Sequence, residues 1–375
     1  MRLHTVQHPR DSGRHEHDGV ADRKDLVAVL GAVGQRCLHP AVARNEPDRH
    51  FGVEAARGRQ RAFQDLARPV RHLEHGPDTI RRVIVHLVDG TYELFRHFFA
   101  VPPARNDAGE EIGAVRGVVR SIVGMLEGGA THIGVATDHV IESFRNGLYP
   151  FYKTSAGVDP ALLAQFQPLE DALRALGVTV WAMIEHEADD ALATAARIAS
   201  EDADIERAII CTPDKDLAQC VEGARVIQLD RRRRQERDEA GVIERFGVPP
   251  GSISDLLALV GDSADGYPGL PGWGAKTAAA VLARYGHIEA IPDRAADWDV
   301  RIRGIERLAA TLAERRDEAM LYKDLATLRR DSAGVDGPAE SWRWRGPGEG
   351  FEQMCARLDD EELPARVRAL IARVG

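Results

Sequence analysis

Acidic residues recur in this chain where short apolar runs end. Asp89 closes the run Val83-Ile-Val-His-Leu-Val88, Asp138 closes residues 131–137, Glu187, Asp189 and Asp190 follow residues 178–184, and Asp214 and Asp216 follow residues 207–212. A single Asp at such a place caps a helix more often than it binds a ligand. Seven acids brought together are a different matter, because carboxylates at close range oppose one another's ionisation and a hard divalent cation relieves that conflict. Oxygen donors without clustered Cys or His favour Mg²⁺ or Mn²⁺ over zinc. Two further acids, Asp262 and Asp265, lie in Gly261-Asp-Ser-Ala-Asp-Gly266, just ahead of Pro268-Gly-Leu-Pro-Gly-Trp-Gly-Ala-Lys-Thr277. The second stretch has the pattern of a helix-hairpin-helix. Gly269, Gly272 and Gly274 permit tight turns and close approach to a phosphate, while Lys276 and Thr277 open a helix whose first amides face the anion. An ordinary tight helix hairpin is the plain alternative. Lysine is scarce beside arginine, yet Lys153, Lys215 and Lys276 all fall within the segments that carry this chemistry.

Positioning these acids requires a sheet. The apolar runs are β-branched and short, as buried strands are, and a fifth follows at residues 224–229. Helical patterns fill 113–126, 160–176 and 187–198. Strand and helix alternate, so an α/β fold with a parallel or mixed sheet is expected. Ligands of such sheets gather at the carboxyl ends of the strands, where the seven acids stand. The first run is expected to lead through Asp89-Gly90 into a loop. From Asp238 onward the pattern is helical, at 252–260, 275–285 and 302–328. Gly346-Pro-Gly-Glu-Gly350 reads as a linker, followed by one helix between Phe351 and Val374.

Composition narrows the classes. The chain has 375 residues and a net charge of -10, enough for two domains. No apolar run approaches the roughly 18 residues of a membrane span, and the first thirty residues lack a signal-peptide pattern, so a cytoplasmic protein without a membrane partner is expected. Four cysteines (Cys37, Cys211, Cys220, Cys355) without CxxC spacing suggest neither a disulfide framework nor a zinc site. Acidity at first argues against nucleic acid, but the charge is uneven. Residues 1–82 hold 15 Lys and Arg against 11 Asp and Glu, and 8 of the 14 histidines, leaving -14 for the remainder. That first part shows little periodicity and is expected to be disordered, or an extension upstream of a true start near Val83.

The ordered blocks from about Val83 to about Arg330 resemble the 5′-3′ exonuclease and flap endonuclease superfamily, which includes the N-terminal nuclease domain of bacterial family A DNA polymerases. The blocks are Leu87-Val-Asp-Gly90, Leu94-Phe-Arg96, Gly113-Ala-Val-Arg-Gly117, Phe144-Arg145, Tyr152-Lys153, Glu187-Ala-Asp-Asp190, Thr212-Pro-Asp-Lys-Asp216, Gly261-Asp-Ser-Ala-Asp265 and the hairpin at 268–277. No polymerase-sized region follows, so the free-standing bacterial members are the nearer likeness. The resemblance implies a PIN-like, resolvase-like domain at 83–235 with an arch at about 139–172. A helical helix-hairpin-helix (H3TH) DNA-binding subdomain follows at 236–332, then a C-terminal linker and helix at 333–375. It implies two Mg²⁺ (or Mn²⁺) ions, the first at Asp89, Asp138, Glu187, Asp189, Asp190 and Asp214, the second at Asp214, Asp216, Asp262 and Asp265. The metals would activate water and stabilise the leaving 3′ oxygen. Lys153 and Arg145 would approach the scissile phosphate as catalytic cations, Tyr152 would either stack on a base or pack in the arch, and K⁺ would sit at the hairpin turn. The implied partner is DNA with a 5′ end or flap, recognised by shape and bound by a monomer, with protein partners unknown.

One departure stands out: Ala156 occupies the place of an Arg usual in the family. A weaker grip on the 5′ strand or a differently formed arch is therefore expected, and a junction-binding relative with little chemistry is the alternative reading. Other classes explain single blocks only. A haloacid-type phosphatase needs an Asp where Thr91 stands, a topoisomerase-primase domain leaves Asp262 and Asp265 unexplained, and a DNA glycosylase lacks the preceding α/β domain.

Overall fold

The computed structural model describes residues 83–374, so the expectations for residues 1–82 lie outside the described residues. Six strands form one sheet: β1 (Val83–Asp89), β2 (His132–Asp138), β3 (Thr179–Met183), β4 (Ile205–Cys211), β5 (Val226–Asp230) and β6 (Gln235–Arg237). Their spatial order is β3-β2-β1-β4-β5-β6. The first five are mutually parallel, while β6 turns back antiparallel along β5. The chain travels from β1 out to β3 and then crosses to the other side of β1 as β4. The order therefore reverses between β1 and β4, which opens a crevice at their carboxyl ends.

Period-two alternation splits β1 between two cores. Val85 and Leu87 join Trp181, Ile210 and the helix Ala188–Glu201 on one face. Val88 joins Ile133, Val135 and Ile209 on the other, under Gly113–Glu127 and Phe166–Ala175. A third core, around Leu257, Trp273, Leu282 and Leu312, belongs to the helices after Asp238. In chain order the helices are α1 (Gly90–Ala100), α2 (Gly113–Glu127), α3 (Arg145–Leu148), α4 (Pro160–Leu163), α5 (Phe166–Ala175), α6 (Ala188–Glu201), α7 (Glu239–Phe246), α8 (Ile253–Val260), α9 (Ala275–Tyr285), α10 (Ile305–Glu314), α11 (Arg316–Ala326), α12 (Phe351–Arg357) and α13 (Leu363–Val374).

Five local expectations are corrected. Residues 90–100 are helical rather than a loop, because Asp89 ends its strand and caps the next helix, accepting a hydrogen bond from Tyr92 N at 2.8 Å. The helix expected over 160–176 breaks into α4 and α5 at Ala164–Gln165; Pro168 cannot continue a helix through the carbonyl four residues earlier. The helix expected over 302–328 breaks at Arg315, next to Arg316, whose guanidinium reaches Ile288 O at 2.8 Å and Ile291 O at 2.7 Å.

The supposed linker near residue 346 is packed against the sheet domain. Trp344 Nε1 donates to Leu176 O at 2.8 Å, and Gly348 N donates to Ala175 O at 2.9 Å. Beyond it α12 and α13 form a pair rather than one helix. They are latched to α2 by Arg120 with Asp360 (2.6 and 3.0 Å) and by Arg366 with Glu127 (2.8 and 2.7 Å).

Candidate active site

The crevice at the β1/β4 switch is walled by carboxylates held from below by the backbone. Asp89 Oδ1 is committed to the α1 cap, and its Oδ2 accepts from Thr212 Oγ1 at 2.9 Å. Asp138 Oδ1 accepts from Ala188 N at 2.7 Å, and Asp214 Oδ1 from Asp216 N at 3.0 Å. Burial pushes Asp89 up to about 7, with Asp138 and Asp214 adding repulsion against the bonds from Tyr92 and Thr212. Asp189 is held well above the usual carboxylate range, first by burial and then by Asp214 and Asp89. Asp138 is raised by burial as well. These four acids thus share one field, although three ligand atoms are not as tightly gathered here as in the next cluster.

Asp216, Asp262 and Asp265 offer carboxylate oxygens that all lie within 4.8 Å of one another. All three residues are buried. Asp216 is held well above its ordinary range, chiefly by burial, with Lys215 opposing and Asp214, Asp262 and Asp265 adding repulsion; burial raises Asp265 to about 6. Asp216 Oδ1 has no hydrogen-bond partner. A buried carboxylate oxygen without a donor is costly, and a hard divalent cation among three such groups removes the cost. Buried oxygen donors of this kind fit Mg²⁺ or Mn²⁺.

Two lysines complete the electrostatics. Lys153 Nζ lies 2.6 Å from Glu187 Oε2 and 3.4 Å from Asp265 Oδ1, tying the arch to both acidic walls. Burial would lower this lysine, but Asp265 and Glu187 outweigh it and hold its pKa well above the ordinary value. It is not a solvated surface lysine. Lys215 Nζ pairs with Asp262 and stands 3.7 Å from Asp216 Oδ1. Sequence reasoning gave Lys215 no role, although the scarcity of lysine pointed at it.

Lys153 is positioned by a backbone dock. Its N–H donates to Asp265 O at 3.1 Å. At Gly266, with φ of +87°, a Cβ would fall 2.1 Å from Phe151 O. Only glycine tolerates both the left-handed backbone and that approach.

Several expected site residues stand elsewhere. Arg145 is not presented to the crevice: it is 1 % exposed and its guanidinium is fully engaged. Nε donates to Leu325 O at 2.8 Å, Nη1 to Glu187 Oε1 at 3.0 Å and Asp190 Oδ2 at 2.7 Å, and Nη2 to Asp190 Oδ1 at 2.7 Å and Thr327 O at 3.2 Å. Asp190 is correspondingly saturated, taking further bonds from Glu187 N at 3.0 Å and Arg329 N at 2.8 Å beside its pair with Arg145. Burial alone would raise Glu187, but Lys153 and Arg145 pull it down to about 2.

Of the two alternatives for Tyr152, the structure has packing: it is 3 % exposed, and its hydroxyl donates to Glu187 Oε2 at 3.3 Å. Its neighbour Phe151 is 74 % exposed and went unnoticed in the sequence. Between β2 and α4 the arch holds a single four-residue helix, α3, and Ala156 lies exposed on a turn whose Ser155 N is bound by Glu142 Oε1 at 2.8 Å.

At the hairpin, Gly272, Gly274 and Lys276 are exposed and Thr277 is half-buried. Gly274 is the N-cap of α9, whose first amides lack intrahelical partners. Gly269 is different: it is buried, and a Cβ there would lie 2.3 Å from Gly261 N, so its missing side chain lets two backbone segments cross.

Residues 84–247 match the family model described as 5′-3′ exonuclease, N-terminal resolvase-like domain, and residues 248–349 match its C-terminal SAM fold. The chain belongs to the 5′-3′ exonuclease superfamily. It is similar to DNA polymerase I of Pseudomonas aeruginosa (36 % identity over 65 % of this chain and 27 % of the relative). A second relative is DNA polymerase I of Rhizobium leguminosarum (37 % identity, 65 % of this chain and 24 % of the relative). The chain thus spans about a quarter of the length of these relatives. Among solved structures, T5 5′-exonuclease with bound zinc aligns with a TM-score of 0.53 at 16 % identity, over 77 % of this chain and 98 % of that one. The catalytic core of Rad2 in complex with DNA substrate aligns with a TM-score of 0.53 at 17 % identity, over 83 % and 99 %. At these identities the structures establish the family's fold, a resolvase-like mixed sheet followed by a helical domain.

Proposed function

We propose that this chain is a metal-dependent nuclease that hydrolyses DNA phosphodiesters from a 5′ end and at 5′ flaps. The observation that carries the reading is the meeting, at one sheet crevice, of Asp89, Asp138, Asp189 and Asp214 with Asp216, Asp262 and Asp265, the last two brought in by the segment before the helical hairpin. Two Mg²⁺ ions held by these groups would supply water activation and charge stabilisation for phosphoryl displacement. Lys153, held between Glu187 and Asp265, is a cation ready to turn to a phosphate once the acids have metal as a counter-charge. Arg145 and Asp190 keep the arch base fixed to α6 and α11. Phe151, not Tyr152, offers an open ring on which a 5′ base can stack. The exposed turn at Gly272 and Gly274 with Lys276 holds the duplex backbone, and its carbonyls are the place for K⁺. The working domains on this reading are 83–235, 236–332 and 333–375, acting as a monomer in the cytoplasm.

The test is digestion of 5′-labelled duplex and flapped DNA in Mg²⁺ by the parent and by Asp214→Ala. The reading requires short labelled products from the parent and a drop of several orders of magnitude in the variant. Binding without cleavage by the parent would instead establish the junction-binding alternative, which the exposed Ala156 favours.

A further inference from the structure

The helical domain contributes one more polar group to the second acidic cluster, and nothing in the protein satisfies it. Tyr267 is 1 % exposed. It is locked opposite Asp262 by a two-residue antiparallel bridge, with Asp262 N donating to Tyr267 O at 2.8 Å and Tyr267 N to Asp262 O at 3.1 Å. Its ring stacks on Tyr322, with centroids 5.6 Å apart and an interplanar angle of 22°, which fixes the direction of the hydroxyl. That hydroxyl is buried without a hydrogen-bond partner, as is Asp216 Oδ1 in the same cluster. A neutral phenol carries a proton to donate, and this one finds no acceptor among the neighbouring groups. A buried donor left empty costs free energy, and a tyrosine where phenylalanine would pack equally well needs a partner to justify its oxygen.

We infer that Tyr267 is a positioning residue: its hydroxyl donates a hydrogen bond to a water molecule that accompanies a divalent cation held by Asp216, Asp262 and Asp265. The inference rests on the metal-binding reading above and adds to it an outer partner for the second ion. Hard cations bound by carboxylates keep part of their water, and groups that orient that water tune affinity.

The experiment compares the full chain with Tyr267→Phe, which keeps the ring and its stack on Tyr322. Free Mn²⁺ is followed by electron paramagnetic resonance during titration, and thermal unfolding is recorded in EDTA. The inference expects the EDTA midpoint to be unchanged or slightly raised, since an unsatisfied group has been removed. It expects one of two Mn²⁺ affinities to fall about fivefold, the worth of one neutral hydrogen bond, with the other unchanged. Two bound ions with the same affinities in both proteins would overturn this inference and leave the metal-binding reading standing. A parent that binds no Mn²⁺ would overturn both. A lowered EDTA midpoint with unaltered Mn²⁺ binding would assign the hydroxyl a purely structural partner and also overturn it.

Discussion

Arg145 offers the sharpest separation between a phosphate contact and a structural clamp. Arg145→Met removes five side-chain hydrogen bonds, two of them the bidentate pair to Asp190. Breaking a buried ion pair by deleting one partner costs about 3–5 kcal/mol. The lower end applies here, because Asp190 keeps the Glu187 and Arg329 amides and Glu187 keeps Lys153 and Ser143. With about 2–4 °C of melting temperature per kcal/mol in a protein of this size, the midpoint should drop by about 6–12 °C. Adding Asp190→Asn removes the orphaned charge and should recover part of that loss. Thermal unfolding in EDTA followed by circular dichroism reads both effects without any contribution from metal or DNA. An Arg145→Met protein that melts with the parent, while cleaving flapped DNA orders of magnitude more slowly, would refute the clamp and return Arg145 to the phosphate.

Further expectations concern the metals, the dock and the stacking ring. Mg²⁺ at a hundred times its dissociation constant should stabilise the fold by about 2.7 kcal/mol per site, so the melting midpoint should rise clearly between EDTA and millimolar Mg²⁺; equal midpoints would contradict a carboxylate site waiting for cations. Gly266→Ala places a Cβ 2.1 Å from Phe151 O at a φ of +87°. The left-handed backbone alone costs about 1–2 kcal/mol, and the clash must push Lys153 off Asp265, so cleavage rate should fall more than DNA affinity. Parental kinetics in that variant would show that the dock does not position Lys153. Phe151→Ala should weaken binding to a 5′ single strand by the roughly 1–3 kcal/mol of one stacked base and leave duplex binding alone, as measured by fluorescence anisotropy; a Tyr152→Phe protein serves as the buried control.

Five of the six strands were legible because each is a short β-branched run with an acid at or soon after its end; β6 (Gln235–Arg237), without a β-branched residue, was not. Helix α1 was not, since Asp89-Gly90 reads as a turn until it is known that Asp89 caps Tyr92 N. The acids themselves were legible by type and position, but their division of labour was not. Asp189 and Asp190 are neighbours on one helix turn, and what separates them is a partner 45 residues away, Arg145, whose burial no local pattern reveals. The same holds for Phe151 and Tyr152. Which of the two faces solvent is decided by the approach of Gly266 to the arch, a contact between segments more than a hundred residues apart. Lys215 carried a faint signal in the scarcity of lysine, and its pairing with Asp262 became visible only when the helical domain's loop was set against β4.

On the proposed reading, this crevice cleaves DNA from its 5′ end with the help of divalent metal. A time course on one duplex, labelled in parallel at the 5′ or the 3′ terminus and incubated with Mg²⁺ or with EDTA, addresses it most directly. In Mg²⁺ the 5′ label should leave at once as short products while the 3′-labelled strand shortens step by step, with both strands intact in EDTA. Intact strands in Mg²⁺, or shortening from the 3′ end, would contradict it.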